Sequence, residues 1–129
     1  MHEKPRKAPH VGHRDQVPEI IAGDGCVLRE LLHPERSPVS IGYSLAHAFV
    51  EPGGRTKEHH LGQSEVYYVI AGSAVMYLDG EAHEVSAGSF YYIPPGCRQH
   101  LVNTGSERFE FLCIVDPPWT AEEEVVEEN

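Results

Sequence analysis

From residue 23 onward, apolar and polar positions fall into short pieces, each closed by turn residues. "CVLRELL" follows "GDG", "IGYSLAHAFV" ends at "EPGG", and "SEVYYVI" ends at "AG". "SFYYI" ends at "PPG", "QHLV" at "NTG", and "RFEFLCIV" at "DPP". The pieces are rich in Val, Ile, Tyr and Phe and recur roughly every ten residues, which predicts an all-β sandwich or barrel. "AVMYLDGEAHEV" contains Asp79-Gly80, a two-residue hairpin signal. In "EVYYVI", Glu65, Tyr67 and Val69 share one face, and Val66, Tyr68 and Ile70 share the other. Both faces are largely apolar, so this strand is expected to lie between two covered surfaces. Glu65 opens the odd face. A carboxylate pointing into a barrel is costly unless something pairs with it, and a cation is one solution.

The ends of the chain read differently. Residues 1–18 carry Pro5, Pro9 and Pro18 among charges, without periodicity, and read as a flexible arm. Residues 19–118 read as one barrel domain, and residues 119–129 as an acidic tail or short helix. In "WTAEEEVVEE", Thr120 is a fair N-cap and Glu123 completes a capping box, so a short, frayed helix is predicted. A chain of 129 residues fits one domain. Mean hydropathy is −0.36, and no apolar run approaches membrane-spanning length. The basic N-terminus is not followed by an apolar signal region, so a cytoplasmic location is expected. A net charge of −10 repels polyanions, which argues against a nucleic-acid partner. The basic N-terminal and acidic C-terminal segments are either solvated tails or contacts across a dimer. Three cysteines without CxxC spacing argue against a disulfide framework, and Cys113 reads as a small buried hydrophobe.

Chemistry concentrates in "TKEHHLGQSE", where His59, His60 and Glu65 bring three metal-ligand side chains into seven positions. The same stretch carries "PGG" before "T-x-x-H", then a glutamate opening a strand that ends at Gly72. Fifteen residues later comes "GSFYYIPPG", a polar pair and "NTG", from Gly88 to Gly105. These resemble the first and second motifs of the cupin superfamily, and the likeness covers about residues 38–115. The resemblance implies a jelly-roll β-barrel, a double-stranded β-helix with an interior pocket. It also implies pairing of two copies through their sheets.

What the resemblance implies for the site is less regular. The first motif usually reads His-x-His, three or four residues, then Glu. Counting forward from Gly54 puts His59 in the first position and Leu61 in the second; counting back from Glu65 puts His60 and Glu58 there. The forward count is preferred because "PGG" fixes the turn. The second motif carries Gln99 where a histidine is usual, with His100 one residue out of register; a one-residue bulge would turn His100 inward. The implied metal site is therefore His59, Glu65 and Gln99, with His100 as the alternative to Gln99. Such ligands suit a divalent Fe, Mn, Ni, Co or Zn ion. The family's chemistries include dioxygenation, decarboxylation and sugar isomerisation. Two functions follow: a metal-dependent enzyme acting on a small molecule, or a non-catalytic barrel binding a small ligand such as a sugar without tightly held metal. Arg55, Arg98 or tyrosine hydroxyls would also hold Glu65, although both arginines flank turns and are expected to reach solvent. Gln99 reads equally as a residue that orients a ligand. His60, His33 and His83 read as surface residues, and Tyr67, Tyr77 and Tyr92 as core.

Overall fold

The structure, a computed structural model, describes residues 8–127. Eleven strands run β1 (Ile20–Ile21), β2 (Val27–Leu32), β3 (Ser44–Val50), β4 (His59–Leu61), β5 (Ser64–Ala71), β6 (Ser73–Leu78), β7 (Glu81–Ser86), β8 (Phe90–Ile93), β9 (Gln99–Val102), β10 (Phe109–Asp116) and β11 (Glu124–Val126). They form two antiparallel sheets, ordered β1-β2-β3-β10-β5-β8 and β11-β4-β9-β6-β7. The chain passes repeatedly from one sheet to the other, which is the jelly-roll wrap expected from the punctuated pattern.

Alternation decides what lies inside. On β5, Glu65, Tyr67 and Val69 are buried while Val66, Tyr68 and Ile70 are exposed. On β10, Phe109, Phe111 and Val115 point into the same interior. Tyr67 stacks on Phe111 at 4.7 Å between ring centres, Ile93 joins them from β8 of the same sheet, and Met76 and Leu101 close the core from the other sheet. Turn chemistry follows the sequence: Asp79 and Gly80 both take positive φ in the β6–β7 hairpin. Gly72 ends β5 with φ of +82°, and a Cβ there would approach the Arg108 carbonyl oxygen to 2.5 Å. Only glycine meets both demands.

Four expectations are corrected. The outer face of β5 is not covered by the described residues: Tyr68 is 49% exposed, Phe90 on neighbouring β8 is 78% exposed, and Tyr92 is 60% exposed rather than core. Residues 119–127 do not form the expected helix. Ala121–Glu123 make one 3₁₀ turn, Thr120 makes no side-chain cap, and Glu124–Val126 extend as β11 beside β4. The β-branched pair Val125-Val126 and an open sheet edge outweigh the helix propensity of the glutamates. His33 is buried, not a surface residue, with Nε2 2.9 Å from the Trp119 carbonyl oxygen. His83 is exposed as expected, beside Glu81. Of the arm over 1–18, residues 1–7 lie outside the described residues, as do residues 128 and 129 of the tail.

The described N-terminal segment lies against the outer face of β2 and β3. Arg29 Nε donates to the Val17 carbonyl at 3.0 Å. Arg14 Nη1 donates to His47 Nε2 at 3.3 Å, and Glu110 Oε1 stands 3.5 Å from the same nitrogen. Burial lowers the His47 pKa; Glu110 opposes the shift, and Arg14, Arg29 and Arg108 add to it. A histidine held neutral in the fold stabilises fully above its unfolded value of about 6.5. That contribution is lost as pH falls through the lower folded value. His47→Gln should therefore flatten the fall in stability on acidification below about pH 6.5, measured by urea unfolding at a series of pH values. Identical slopes for wild type and variant would show that His47 does not carry this dependence.

Candidate functional site

Strand alternation brings three polar side chains, His59, Glu65 and Gln99, to one end of the barrel interior. On β4, His59 and Leu61 are buried and His60 faces outward, 3.3 Å from Glu127 Oε1. This is the register counted forward from the glycine turn. His59 pairs with Gln99 across the sheet, so both point into the barrel. His100, next along β9, faces the other way and stacks on its cross-strand neighbour Tyr77, with ring centres 4.5 Å apart and planes 6° apart. The structure thus brings His59, Glu65 and Gln99 together and leaves His100 outside.

Glu65 is almost fully buried, and both its oxygens are engaged. Gln99 Nε2 donates to Oε1 in a short hydrogen bond, and the Cys113 thiol donates to Oε2 at 3.3 Å. Tyr67 donates its hydroxyl to Gln99 Oε1 at 3.2 Å, which fixes the amide with its NH₂ toward Glu65. Burial raises the Glu65 pKa, while the hydrogen bonds from Gln99 and Cys113 and the nearby His59 oppose the rise. Burial pushes the Tyr67 hydroxyl and the Cys113 thiol well up as well. Arg98 and Arg55, each beside its turn, are exposed as expected.

Two more carboxylates join this pole, neither of which the sequence singles out. Asp24 sits in the "GDG" turn between β1 and β2. It is buried, with Oδ1 accepting from the Cys26 amide at 3.1 Å and Oδ2 3.4 Å from His59 Nε2. Glu124 arrives on β11 and accepts from the Trp119 indole at 3.2 Å. Burial raises its pKa, and Asp24 adds to the rise. The one sequence signal for Asp24 is its glycine flanks, which mark a turn but not its direction. Glu124 is hidden inside a run of glutamates.

His59 is held in one orientation. Its Nδ1 lies 2.8 Å from the Lys57 carbonyl oxygen. A carbonyl only accepts, so Nδ1 carries a proton, and in the neutral ring Nε2 presents its lone pair to the cavity. The cavity itself is about 200 Å³. Ile20, Leu28, Phe111 and Trp119 give it apolar walls, and Asp24, His59, Glu65 and Glu124 give it a polar end. Neither Lys nor Arg is among the described lining residues. At roughly 30 Å³ per water, the volume suits a small molecule rather than a drug-sized one.

Two antiparallel sheets closed around such a pocket define a jelly-roll barrel. The cupin domain model matches residues 46–115, and the chain belongs to the cupin family. The uncharacterized protein MJ1618 of Methanocaldococcus jannaschii is 37% identical over 110 residues, which is 84% of this chain and 87% of that protein. L-ectoine synthase of Bordetella petrii is 29% identical over 85 residues, 64% of this chain and 63% of that enzyme. Among solved structures, a Streptomyces nucleoside dehydratase superposes with a TM-score of 0.76 at 23% identity, over 94% of this chain and 92% of that one. That last likeness is one of fold.

The network around Glu65 ranks two substitutions. Tyr67→Phe removes one donor to Gln99 and keeps the ring packing, so it should cost about 1 kcal/mol. Gln99→Leu leaves a buried carboxylate and a buried hydroxyl without their partner and should cost roughly 2–3 kcal/mol. Chemical denaturation at neutral pH measures both. A Gln99→Leu protein as stable as Tyr67→Phe would mean that Gln99 does not hold Glu65.

Proposed function

We propose that this cupin binds a divalent ion at the polar end of its pocket, through His59 and Glu65, and a small molecule in the apolar space beside it. The observation that carries the reading is the fixed His59 ring, with Nδ1–H bound to a backbone carbonyl and Nε2 facing carboxylates across a cavity. Metal-binding histidines are commonly oriented in this way. One imidazole with carboxylates suits Fe, Mn, Ni, Co or Zn in composition. Among the described residues, no three His, Cys, Asp or Glu side chains stand as a ready-formed metal cluster. Glu65 Oε2 is the oxygen most easily offered, because it accepts from a thiol, a weak donor. Gln99 supports Glu65 rather than reaching for the ion, since both ends of its amide are engaged. A bound ion would polarise an oxygen of the small molecule as a Lewis acid, the basis of an enzymatic role.

The alternative is a metal-free ligand-binding barrel. It is favoured by the hydrogen bonds that already occupy both Glu65 oxygens. Calorimetric titration of untagged protein with Mn(II), Ni(II) and Zn(II) separates the two readings. Binding of about one ion per chain is expected, lost in His59→Ala and kept in His60→Ala. Glu65→Gln should weaken it at least about tenfold. Wild type that takes up none of the three ions would leave the metal-free reading standing.

We also infer a homodimer. Val66 and Tyr68 on β5 lie beside Tyr92 and Phe90 on β8 and Ile114 and Leu112 on β10. They make an apolar outer sheet face of the kind that marks an association site. Light scattering should give about twice the 14.4 kDa chain mass. Phe90→Glu should shift the protein toward monomer. A wild-type monomer at micromolar concentration would overturn the assignment.

A further inference from the structure

The pocket wall is rich in acceptors and its donors are engaged. Asp24, Glu65 and Glu124 put carboxyl groups on the cavity, and Glu30 also lines it, paired with Arg36 at 2.6 Å. The side-chain donors around it are committed to the protein itself: Tyr67 gives its hydroxyl to Gln99, Cys113 its thiol to Glu65, and Trp119 its indole N–H to Glu124. We propose that the small molecule of this pocket is an amine with an apolar body, its ammonium group bound by Asp24 and Glu124, and that the pocket rejects carboxylates and phosphates of like size. The inference rests on the reading that the pocket holds a small molecule, with or without the ion.

A guest on such a wall must bring the donors, because an ionised carboxyl group only accepts. A carboxylate or phosphate brings none and adds negative charge where water is excluded, which is costly. No Lys or Arg is among the described lining residues to receive it. His59 does not alter this. Its Nδ1 is bonded to the Lys57 carbonyl and its Nε2 stands 3.4 Å from Asp24 Oδ2. Protonated, the ring is paired with Asp24; neutral, it adds no charge. In both forms the cavity has no positive group free to meet an anion.

Asp24 and Glu124 lie outside the pair of side chains assigned to the ion, and they meet at one corner. Each is held through one oxygen, Asp24 by the Cys26 amide and Glu124 by the Trp119 indole. Glu124 Oε2 reaches the residue next to Asp24, since a Cβ on Gly23 would stand 3.1 Å from it. Burial raises the Glu124 pKa and Asp24 raises it further, so the two carboxyl groups feel each other. An ammonium group that donates to both relieves that repulsion through charge-assisted hydrogen bonds.

The remaining walls specify the body of the guest. Ile20 and Ile21 line the cavity while 53% and 78% exposed, so they form its mouth, and Leu28, Phe111 and Trp119 continue the apolar surface. A sugar would bury hydroxyl groups there without partners, whereas an aliphatic chain fills the space. The volume of about 200 Å³ limits that chain to a short one.

The probes are isopentylamine, isopentanol and isovalerate, which share a short branched body and differ in head group. Each is titrated into the full chain at neutral pH with a chelator present, so that the outcome does not depend on whether the ion binds. Trp119 is the single tryptophan of the chain, and its indole N–H resonance reports on the wall that holds Glu124. Isopentylamine should shift that resonance and bind at least about tenfold more tightly than isovalerate, with isopentanol between them. Glu124→Gln keeps an oxygen for the indole and should reduce the amine's advantage over the alcohol; a folded variant with the wild-type preference would take Glu124 out of the site. The wild-type ranking is decisive even if the variant fails to fold. Isovalerate or isopentanol binding as tightly as the amine would overturn the inference and leave the small-molecule reading standing. No shift from any of the three would overturn that reading, and this inference with it.

Discussion

The buried Glu65 carboxylate is the constraint from which the site's arrangement follows. A charge at that depth is unfavourable by several kcal/mol unless other groups compensate it. The chain meets the demand through neighbours on three strands. β9 supplies Gln99, β10 supplies the Cys113 thiol, and β5 itself supplies Tyr67, which turns the Gln99 amide the right way round. The same alternation that turns Glu65 inward also brings Tyr67 and Val69 into the core. The polar pole and the apolar core are therefore one pattern, set by the pleat of one strand.

The glycine-rich and asparagine-bearing turns hold the far end of the barrel shut. Asn103 donates from its side chain to the Val50 and Glu107 carbonyls at 2.9 and 2.8 Å and accepts from the Gly105 amide. Its backbone amide donates to the Gly54 carbonyl at 2.9 Å. Thr56 exchanges bonds with Leu101, accepting through Oγ1 and donating through its amide. These motif residues answer backbone demands, which do not depend on what the pocket holds. That is why the fold is legible in the sequence while the ligand set is not.

Legibility follows the range of the interaction. Strands and hairpins are readable because turn chemistry and the two-residue period are local. The inward direction of His59 is readable because the "PGG" turn fixes the count. Asp24 is not, because it meets His59 from a distant part of the chain and only the closed barrel shows the meeting. The outer face of β5 reads as apolar, which it is, but alternation cannot say what covers it. β11 reads as helix because the propensity in "EEEVV" is a local signal, whereas the free edge of β4 that captures the segment is not. His33 escapes a sequence reading for the same reason: its partner is a carbonyl 86 residues away.

The flanking segments make the pocket particular to this chain. The cupin match spans residues 46–115, which contains β4 to β9 and nearly all of β10. Within it lie His59, Glu65, Gln99 and Tyr67. Outside it lie Asp24, Trp119 and Glu124, which line the same cavity from the two ends of the chain. Gly23 shows how closely those ends approach: a Cβ there would stand 3.1 Å from a Glu124 carboxylate oxygen. Glu124 and Asp24 thus stand on segments that touch, and a change in one end shifts the charge beside the other. The family barrel supplies the frame and a buried carboxylate; the flanking segments set the charge and shape of what enters. Chemistry particular to this cupin is therefore to be sought at the junction of its ends.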